Sequence, residues 1–319
     1  MRVSVLVLDH VFDSGLAAVL DVLQCANELR EQLSQPPPPW QVTLTGFTDT
    51  VQTGAGLTVH TASIGQAADC DLLLVPAISE RRLDFLLEWL SGPDSAPARD
   101  LIIAARTRRT PIASACAGTF LLAECGILDG LHATTTWWLV PAFRKRYPNV
   151  ILDQNRMVTS SDGVTTAGAA FGHVDLALSL VRRVSPALSD LVANHLVIDE
   201  RPSQAAYTMT GSLTESDPVI AAFERWARDH LHQPFSLKDA ARPLGISERT
   251  LQRTFQTALG ISPVRFVQNL RVEQATYLLR TTDQSVETIA RRVGYEDCNT
   301  LRVLLRQRTG RTVSQHRRR

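Results

Sequence analysis

Apolar and polar positions follow two different patterns along the chain, and the change comes near residue 200. In the first 200 residues, short runs of consecutive apolar residues alternate with stretches of helical periodicity. The clearest runs, at 3–8, 71–75 and 111–114, predict buried strands. This alternation favours a doubly wound, flavodoxin-like α/β domain, with a mainly parallel sheet covered on both faces. Further strands are predicted at 41–47, 133–136, 150–152, 157–159 and 164–166.

The last third of the chain has the periodicity of helices interrupted by two glycine turns. Leu251 and Phe255 lie one helical turn apart, after a turn at Gly245 and a Ser247 that can cap their helix. The same order of short helix, turn and second helix recurs around Gly294. The segment between the two turns predicts one long helix with a single apolar side. The pattern therefore predicts an all-α domain, in which a rigid spacer carries two helix-turn-helix units.

Polar side chains project from the second helix of each unit, on the sides that the apolar positions leave free. Arginine and glutamine side chains reach guanine and adenine edges in the major groove of DNA, and they also contact phosphates. We therefore predict double-stranded promoter DNA as a partner. The predicted DNA-binding residues are Arg249, Thr250, Gln252, Arg253, Cys298, Asn299 and Arg302.

These units resemble the DNA-binding domain of the AraC/XylS family of bacterial transcription regulators. The shared landmarks are Ser-x-Arg-x-Leu-x-Arg-x-Phe at 247–255, Gly-Ile-Ser-Pro at 260–263 and Val-Gly-Tyr at 293–295. The resemblance implies that the helices starting at Glu248 and near Asp297 enter successive major grooves, about 34 Å apart. The second unit departs from the family where an aromatic residue, an arginine and a Ser-Pro pair are usual. Those positions hold Leu305, Val303 and Thr312-Val313.

Charge is divided unequally between the two parts of the chain. Residues 1–209 contain 15 Lys and Arg against 21 Asp and Glu, whereas residues 210–319 contain 18 against 11. A basic domain attached to an acidic one is typical of a DNA reader joined to a sensor. We expect Arg265, Arg271 and the tail at 317–319 to contact phosphates or to make no contact with DNA at all.

The cysteines and the lengths of the apolar runs indicate in which cellular compartment the protein is expected. The 5 cysteines form no CxxC pair and no metal-ligand spacing, so we expect no metal, no cofactor and a reducing environment. The apolar run at 3–8 is too short for a signal peptide, and no run approaches the ~18 residues that a membrane span needs. We therefore expect a cytoplasmic protein with no membrane partner.

One of the cysteines stands at the junction of a predicted strand and a predicted helix. The strand at 111–114 runs into Cys116, where the N–H groups and dipole of the following helix are expected to favour the thiolate. Residues 3–195 resemble the ThiJ/PfpI superfamily, relatives of the class I glutamine amidotransferases, whose nucleophile-elbow cysteine corresponds to Cys116. Further similarity lies at 121–130, 133–137 and 165–168. A ThiJ/PfpI-like domain before an AraC-like reader is the order of the GlxA-type regulators.

The resemblance implies that the catalytic apparatus is incomplete in this chain. The position of the family's histidine is Thr136, and threonine cannot accept a proton near neutral pH. The family's acidic residue falls at Gly15, with Asp13 as the nearest carboxylate, and its Pro-Gly-Gly donor loop reads Pro76-Ala77-Ile78. We therefore predict no enzymatic activity. The candidate substitutes for the missing base are His132 and His173.

The same pocket can instead recognise a small molecule, because open α/β sheets bind ligands at the carboxyl ends of their strands. The resemblance implies an effector such as an amino acid or betaine, whose carboxylate suits the N–H groups after the cysteine. Trp137 or Trp138 would stack on its cationic nitrogen. Two alternatives remain open, a cysteine hydrolase or amidotransferase and a redox-sensing regulator. The predicted ligand-binding residues are Cys116, Ala117, Thr136, Trp137 and Ala77.

The chain is predicted to consist of three segments. These are a ligand-sensing and dimerisation domain at 1–199, a linker at 200–218 and a DNA-binding domain at 219–319. The linker is assigned because it lacks strong periodicity and contains proline, glycine and serine. ThiJ/PfpI-like domains commonly pair, so the resemblance implies a homodimer, with RNA polymerase as a further candidate partner.

Overall fold

The computed structural model describes residues 1–80, 82–199, 201, 203–204, 217–259, 261–309 and 312–317. The chain divides into two compact units, Met1–Gln204 and Ala205–Arg319. The Gly260 landmark, the tail residues Arg318 and Arg319 and most of the predicted linker lie outside the described residues. The described linker residues Arg201, Ser203 and Gln204 belong to the first unit.

The first unit combines strands and helices in the alternating order that the pattern predicts. Its strands are β1 Arg2–Leu6, β2 Gln41–Gly46, β3 Thr50–Gln52, β4 Thr58–His60, β5 Ala62–Ser63, β6 Leu72–Val75, β7 Ile112–Ala115, β8 His132–Ala133, β9 Ile151–Leu152, β10 Val158–Ser161 and β11 Val164–Ala167. Its helices are α1 Asp13–Leu29, α2 Leu83–Ser91, α3 Ala96–Thr107, α4 Gly118–Glu124, α5 Val140–Arg146, α6 Gly172–Val184 and α7 Pro186–His195.

Seven strands form one sheet in the order β10-β11-β7-β6-β1-β2-β5. All neighbours in it are parallel except the edge pair β10 and β11. Val5 of β1 packs on the face covered by α1, α6 and α7, whereas Leu6 packs on the face covered by α2, α3 and α4. Successive side chains of a strand point to opposite faces, so each buried strand supplies both cores. The predicted doubly wound α/β fold is confirmed.

The predicted strand at 133–136 is wrong for most of its length, since β8 ends at Ala133. The backbone N–H of Thr134 donates to Thr166 Oγ1 at 2.8 Å, and the Thr134 hydroxyl donates to the Arg156 carbonyl at 3.0 Å. Hydrogen bonds that involve threonine side chains thus replace the regular ladder between strands. We call residues 134–136 the threonine loop.

The second unit consists of helices in the part of the chain that is described. They are α8 Pro218–Asp229, α9 Leu237–Ala241, α10 Glu248–Leu259, α11 Pro263–Thr281, α12 Val286–Arg292, α13 Cys298–Thr309 and α14 Val313–Arg317. Ser247 and Ser262 cap α10 and α11 as predicted, because their hydroxyls accept the backbone N–H groups of Thr250 at 3.1 Å and Arg265 at 3.2 Å. The predicted order of two helix-turn-helix units is confirmed.

Helix α11 contributes to two separate cores. Its first half packs Phe266 against Phe255 of α10, with ring centroids 5.2 Å apart, and Phe255 packs against Phe223 at 4.7 Å. Its second half buries Ala275 and Leu279 among the apolar side chains of α12 and α13. Both helix-turn-helix units are therefore fixed to one continuous helix.

Arg271 lies in the interior of this unit, with only 7% of its surface exposed. Its guanidinium donates to the Gln233 carbonyl at 2.6 Å and lies 5.0 Å from the centre of the Tyr295 ring. Of the two expectations for Arg271, the phosphate contact is wrong, because the charge is already satisfied by a carbonyl and an aromatic face.

No helix in the described parts of the chain is long and apolar enough to cross a lipid bilayer.

We predict that Gly294→Ala destabilises the second unit by about 2–5 kcal/mol. Gly294 has φ +83°, and a methyl group there would also meet the Leu231 carbonyl and the Arg271 guanidinium. The control is Gly245→Ala, which shares a positive φ of +67° but opens onto free space and should lose about 1–2 kcal/mol. Native-state hydrogen exchange of the α11 amides measures both losses, and equal losses would contradict the steric argument.

Candidate functional site

Cys116 occupies the turn between β7 and α4, with φ +54°. Its backbone N–H donates to the Ala167 carbonyl at 2.8 Å, and its carbonyl accepts the Thr135 hydroxyl at 2.8 Å. A positive φ is strained for a residue with a side chain and persists only when its surroundings enforce it. The elbow geometry implied by the sequence resemblance is therefore present.

The thiol of Cys116 is not activated in this setting. Burial raises the pKa of the Cys116 thiol to about 11, although the neighbouring Ala117 N–H and Thr136 hydroxyl act in the opposite direction. The expectation of a favoured thiolate is wrong, because desolvation outweighs the donors at the start of α4. At neutral pH the sulfur is protonated and weakly nucleophilic.

Thr136 stands at the position where the sequence resemblance implies a histidine. The Thr136 side chain is fully buried, and the next residue, Trp137, is half-buried. Trp138 has 43% of its surface exposed and meets the Trp137 ring edge to face, at 5.4 Å between centroids. Of the two tryptophans, Trp138 is therefore the more accessible to a cationic group.

His173 is fully buried beside the first helix. Its Nδ1–H donates to the Ala170 carbonyl at 2.6 Å, while Nε2 accepts the backbone N–H of Ala77 at 3.1 Å. The imidazole also fills the space that a side chain at Gly15 would need, with Cε1 2.7 Å from an added methyl carbon. The position of the superfamily's acidic residue thus holds a histidine ring that comes from α6.

The contacts of His173 account for its neutral state. Burial lowers the pKa of His173 to about 4, and the hydrogen bond to Ala170 opposes this only in part. Protonating Nε2 would also break its bond with Ala77. His173 therefore accepts the Ala77 N–H, which is a backbone donor of the loop expected to bind a substrate oxyanion or a ligand.

Asp13 and His132, the other candidate substitutes for the catalytic groups, lie in different surroundings. The Asp13 carboxylate accepts the Thr53 hydroxyl and, at 2.9 Å, the Ala55 N–H, which ties α1 to the turn between β3 and β4. His132 is exposed at the start of β8. All 5 cysteines are free. No group of three or more His, Cys, Asp or Glu among the described residues is placed to hold a metal ion.

The predicted ligand residues around the elbow are closed to solvent. Cys116, Ala117 and Ala77 each have 7% or less of their surface exposed. A cavity of about 540 Å³ lies elsewhere in the unit, between β10, α6 and α7. Periodicity did not indicate it, because its polar residues come from elements far apart in sequence and from the predicted linker. The polar lining consists of Arg156, Asp175, Ser179, Arg182 and Arg201.

Helix α10 presents the first predicted DNA-binding face. Leu251 and Phe255 are buried, while Arg249, Gln252 and Arg253 are exposed. The Thr250 hydroxyl lies 2.8 Å from the capping Ser247 hydroxyl, so part of its hydrogen-bonding capacity is already used.

Helix α13 presents the second predicted DNA-binding face, and here the arginine already has partners within the unit. One guanidinium nitrogen of Arg302 donates to Asn299 Oδ1 at 3.0 Å and contacts Cys298 Sγ at 3.2 Å. The other donates to Glu287 of α12 at 3.0 Å. The three predicted DNA-binding residues of α13 are therefore held together, and a carboxylate neutralises their only charge.

Comparisons with known proteins agree with both units. Residues 240–319 match the model of a helix-turn-helix domain family. The HTH-type transcriptional regulator CdhR of Pseudomonas aeruginosa is 30% identical over 187 residues, which is 56% of this chain and 54% of CdhR.

Solved structures resemble the α/β fold. An AraC family transcriptional regulator from Pseudomonas putida superposes with a TM-score of 0.52 at 21% identity, over 61% of this chain and 98% of that one. A ThiJ/PfpI family protein from Pseudomonas syringae superposes with a TM-score of 0.51 at 17% identity, over 69% of this chain and 82% of that one. The chain is therefore similar to a helix-turn-helix regulator in sequence, and its α/β fold is that of AraC-family and ThiJ/PfpI structures. Its alignment spans only about half the length of CdhR, and the structural matches show the fold alone.

We predict that acid destabilises the first unit through His173. The pKa of His173 is about 4 in the folded state against an ordinary value of 6.5, so unfolding takes up a proton between these values. The contribution of neutral His173 to the free energy of unfolding is complete above pH 6.5. It is lost as the pH falls towards 4, and the loss is on the order of 3 kcal/mol. Chemical denaturation of wild type and His173→Gln at several pH values measures it.

The informative quantity is the dependence of unfolding free energy on pH, since the His173→Gln substitution also alters packing. The variant should show a shallower loss than wild type between pH 6.5 and 4. His132→Ala, which removes an exposed histidine, is the control and should keep the wild-type dependence. Parallel curves for wild type and His173→Gln would contradict a buried neutral imidazole.

Proposed function

We propose that this chain is a sequence-specific, DNA-binding transcriptional regulator, and that its first unit senses a small molecule without turning it over. The main support for DNA binding is the exposed face of α10. Arg249 and Arg253 are exposed there, and neither has an ion-pair or hydrogen-bond partner among the described residues. Unpaired arginines beside an exposed Gln252 suit both base edges and phosphates.

The scaffold of the second unit supports a two-groove mode of binding. The 19 residues of α11 span about 28 Å at the α-helical rise, and each half packs against one reading helix. Rigid attachment to one rod limits how far α10 and α13 can move relative to each other. This suits two contacts about one turn of duplex apart, or about 34 Å.

For the first unit, we propose a zwitterion such as an amino acid or betaine at the elbow. Its carboxylate would compete with His173 for the Ala77 N–H, and its cationic end would meet Trp138 at the surface. The raised pKa of Cys116 and the threonine at position 136 favour sensing over hydrolysis. Because binding requires His173 to move, occupancy and the structure of the unit would be coupled. We further propose that the chain acts as a homodimer.

DNA footprinting of the full chain on fragments of the source genome tests the proposal. Selective protection of promoter fragments in the presence of excess bulk DNA is expected, and equal affinity for all fragments would contradict it. Thermal-shift measurements with amino acids and betaines test the sensing role, since a ligand that binds the folded state raises the melting temperature.

We predict that Arg253→Ala weakens binding to the selected promoter fragment by about 1–3 kcal/mol and relaxes the base preference at one position. The exposed Arg280, at the end of α11, provides a matched control of the same charge, and Arg280→Ala should keep the base preference. Fluorescence anisotropy with promoter and random duplexes separates the two roles. Equal losses on both duplexes would mean that Arg253 contacts only phosphate.

We predict that Glu287→Gln strengthens DNA binding by about two- to fivefold at low salt, since it frees Arg302 from an exposed ion pair of modest strength. Removing any acidic residue also reduces repulsion by phosphates, so Glu296→Gln, an exposed acid before α13, is the control. Anisotropy titrations compare the two variants. An equal gain in both would show that net charge, and not release of Arg302, is responsible.

A further inference from the structure

Gln204 is a polar side chain buried at the end of the first unit. None of its surface is exposed, and its amide nitrogen donates to the Thr135 carbonyl at 2.8 Å. The same nitrogen lies 3.3 Å from Thr134 Oγ1 and 3.4 Å from the Arg156 carbonyl. A buried amide is costly unless it is hydrogen-bonded, so these acceptors in and around the threonine loop define its position.

The threonine loop connects Gln204 directly to the elbow. The Thr135 carbonyl accepts the Gln204 amide, while the Thr135 hydroxyl donates to the Cys116 carbonyl at 2.8 Å. One residue therefore binds both the strained elbow and the end of the first unit. The next residue, Thr136, is fully buried.

The backbone around Gln204 is held by further bonds. The Gln204 N–H donates to the Asn155 carbonyl at 2.9 Å, and the Ser203 hydroxyl donates to the same carbonyl at 2.7 Å. Arg201 forms an ion pair with Asp175, in which Nε lies 3.3 Å from Oδ1. These contacts hold the chain to the first unit up to Gln204, after which the second unit begins.

The site fits the glutamine amide closely on the opposite side. A methyl group added at Gly168 would lie 2.6 Å from Gln204 Cδ and closer still to its nitrogen. The obstructing atoms are the far end of a flexible side chain, so such a methyl group would displace the amide before it moved the backbone. Gly168 follows directly after β11, whose last residue, Ala167, accepts the N–H of Cys116.

We propose that Gln204 is a latch through which the elbow acts on the chain that enters the second unit; this rests on the proposed regulatory function. When the threonine loop shifts, the Gln204 amide loses its acceptors and the restraint on the following chain changes. Coupling between two sites is reciprocal, so releasing Gln204 must in turn loosen the elbow. This reciprocal effect distinguishes a latch, which is coupled to the elbow, from a residue that only fixes the end of the first unit.

The first experiment releases the latch and observes the elbow in the full chain. Iodoacetamide labelling at Cys116, followed by peptide mass spectrometry, should accelerate about tenfold in Gln204→Ala, because buried acceptors of the loop are left unpaired. Gly168→Ala should act in the same direction while leaving the glutamine in place. Gln66→Ala, an exposed glutamine, is the control and should label at the wild-type rate.

A double variant tests whether the two changes act on the same contact. Once Gln204 is shortened, the added methyl at Gly168 has nothing to displace, so Gly168→Ala/Gln204→Ala should label no faster than Gln204→Ala alone. Multiplied effects would mean that the substitutions loosen the unit independently and would overturn the latch. Unchanged labelling in both single variants would also overturn it.

The reverse direction starts from the elbow. Thr135→Val removes the hydroxyl that binds the Cys116 carbonyl but keeps the Thr135 carbonyl that binds Gln204. Deuterium exchange of the Gln204 amide, which donates to Asn155, should become faster. Exchange at the wild-type rate, measured in a folded variant with faster Cys116 labelling, would show that the elbow does not act on Gln204.

DNA affinity distinguishes failure of the latch from failure of the proposed function. With the promoter fragment selected by footprinting, the Kd of Gln204→Ala and Gly168→Ala should change in the same direction, by about fivefold or more. Specific binding by wild type with unchanged Kd in both variants would contradict the latch alone. A wild-type chain without promoter preference would contradict the regulatory function on which the latch rests.

Discussion

The second unit depends on the burial of one helix along its whole length. Phe266 and Leu270 of α11 belong to the core of the first helix-turn-helix, and Leu278 and Leu279 belong to the core of the second. Small helical elements bury little apolar surface on their own, so the shared helix adds buried surface to both cores. The same sharing fixes their separation. The stability of the second unit and the spacing of α10 and α13 therefore follow from the same contacts.

In the first unit, the parts of a nucleophile elbow are retained while their chemistry is changed by burial. The strained turn of Cys116 is intact, but its sulfur is desolvated and its neighbour at position 136 is not a base. The Ala77 donor that such a site would aim at a substrate oxygen is bonded to His173. A defined turn with a protonated, weakly nucleophilic sulfur supports the proposal of recognition over that of turnover.

The sequence predicts those features that are set by local spacing. Leu251 and Phe255 face the core and Arg253 faces solvent because one helical period decides all three. It does not predict contacts between residues far apart, such as the bond from Ala77 to His173 across 96 positions or from Thr135 to Gln204 across 69. The expectation of a thiolate at Cys116 was wrong for the same reason, because the burial that keeps the thiol protonated comes from elements distant in sequence.

The two helices proposed to contact DNA, α10 and α13, differ in how their arginines are held. On α10, Arg249 and Arg253 carry unpaired charge among the described contacts and can meet phosphates at once. On α13, Arg302 would have to release Glu287 and Asn299 before it could contact a duplex. An exposed ion pair is weak, so breaking it costs little free energy where a guanine or phosphate then binds the guanidinium. Where no such group is present, the exchange is unfavourable. The second helix would then add less to overall affinity than the first and more to discrimination between sites.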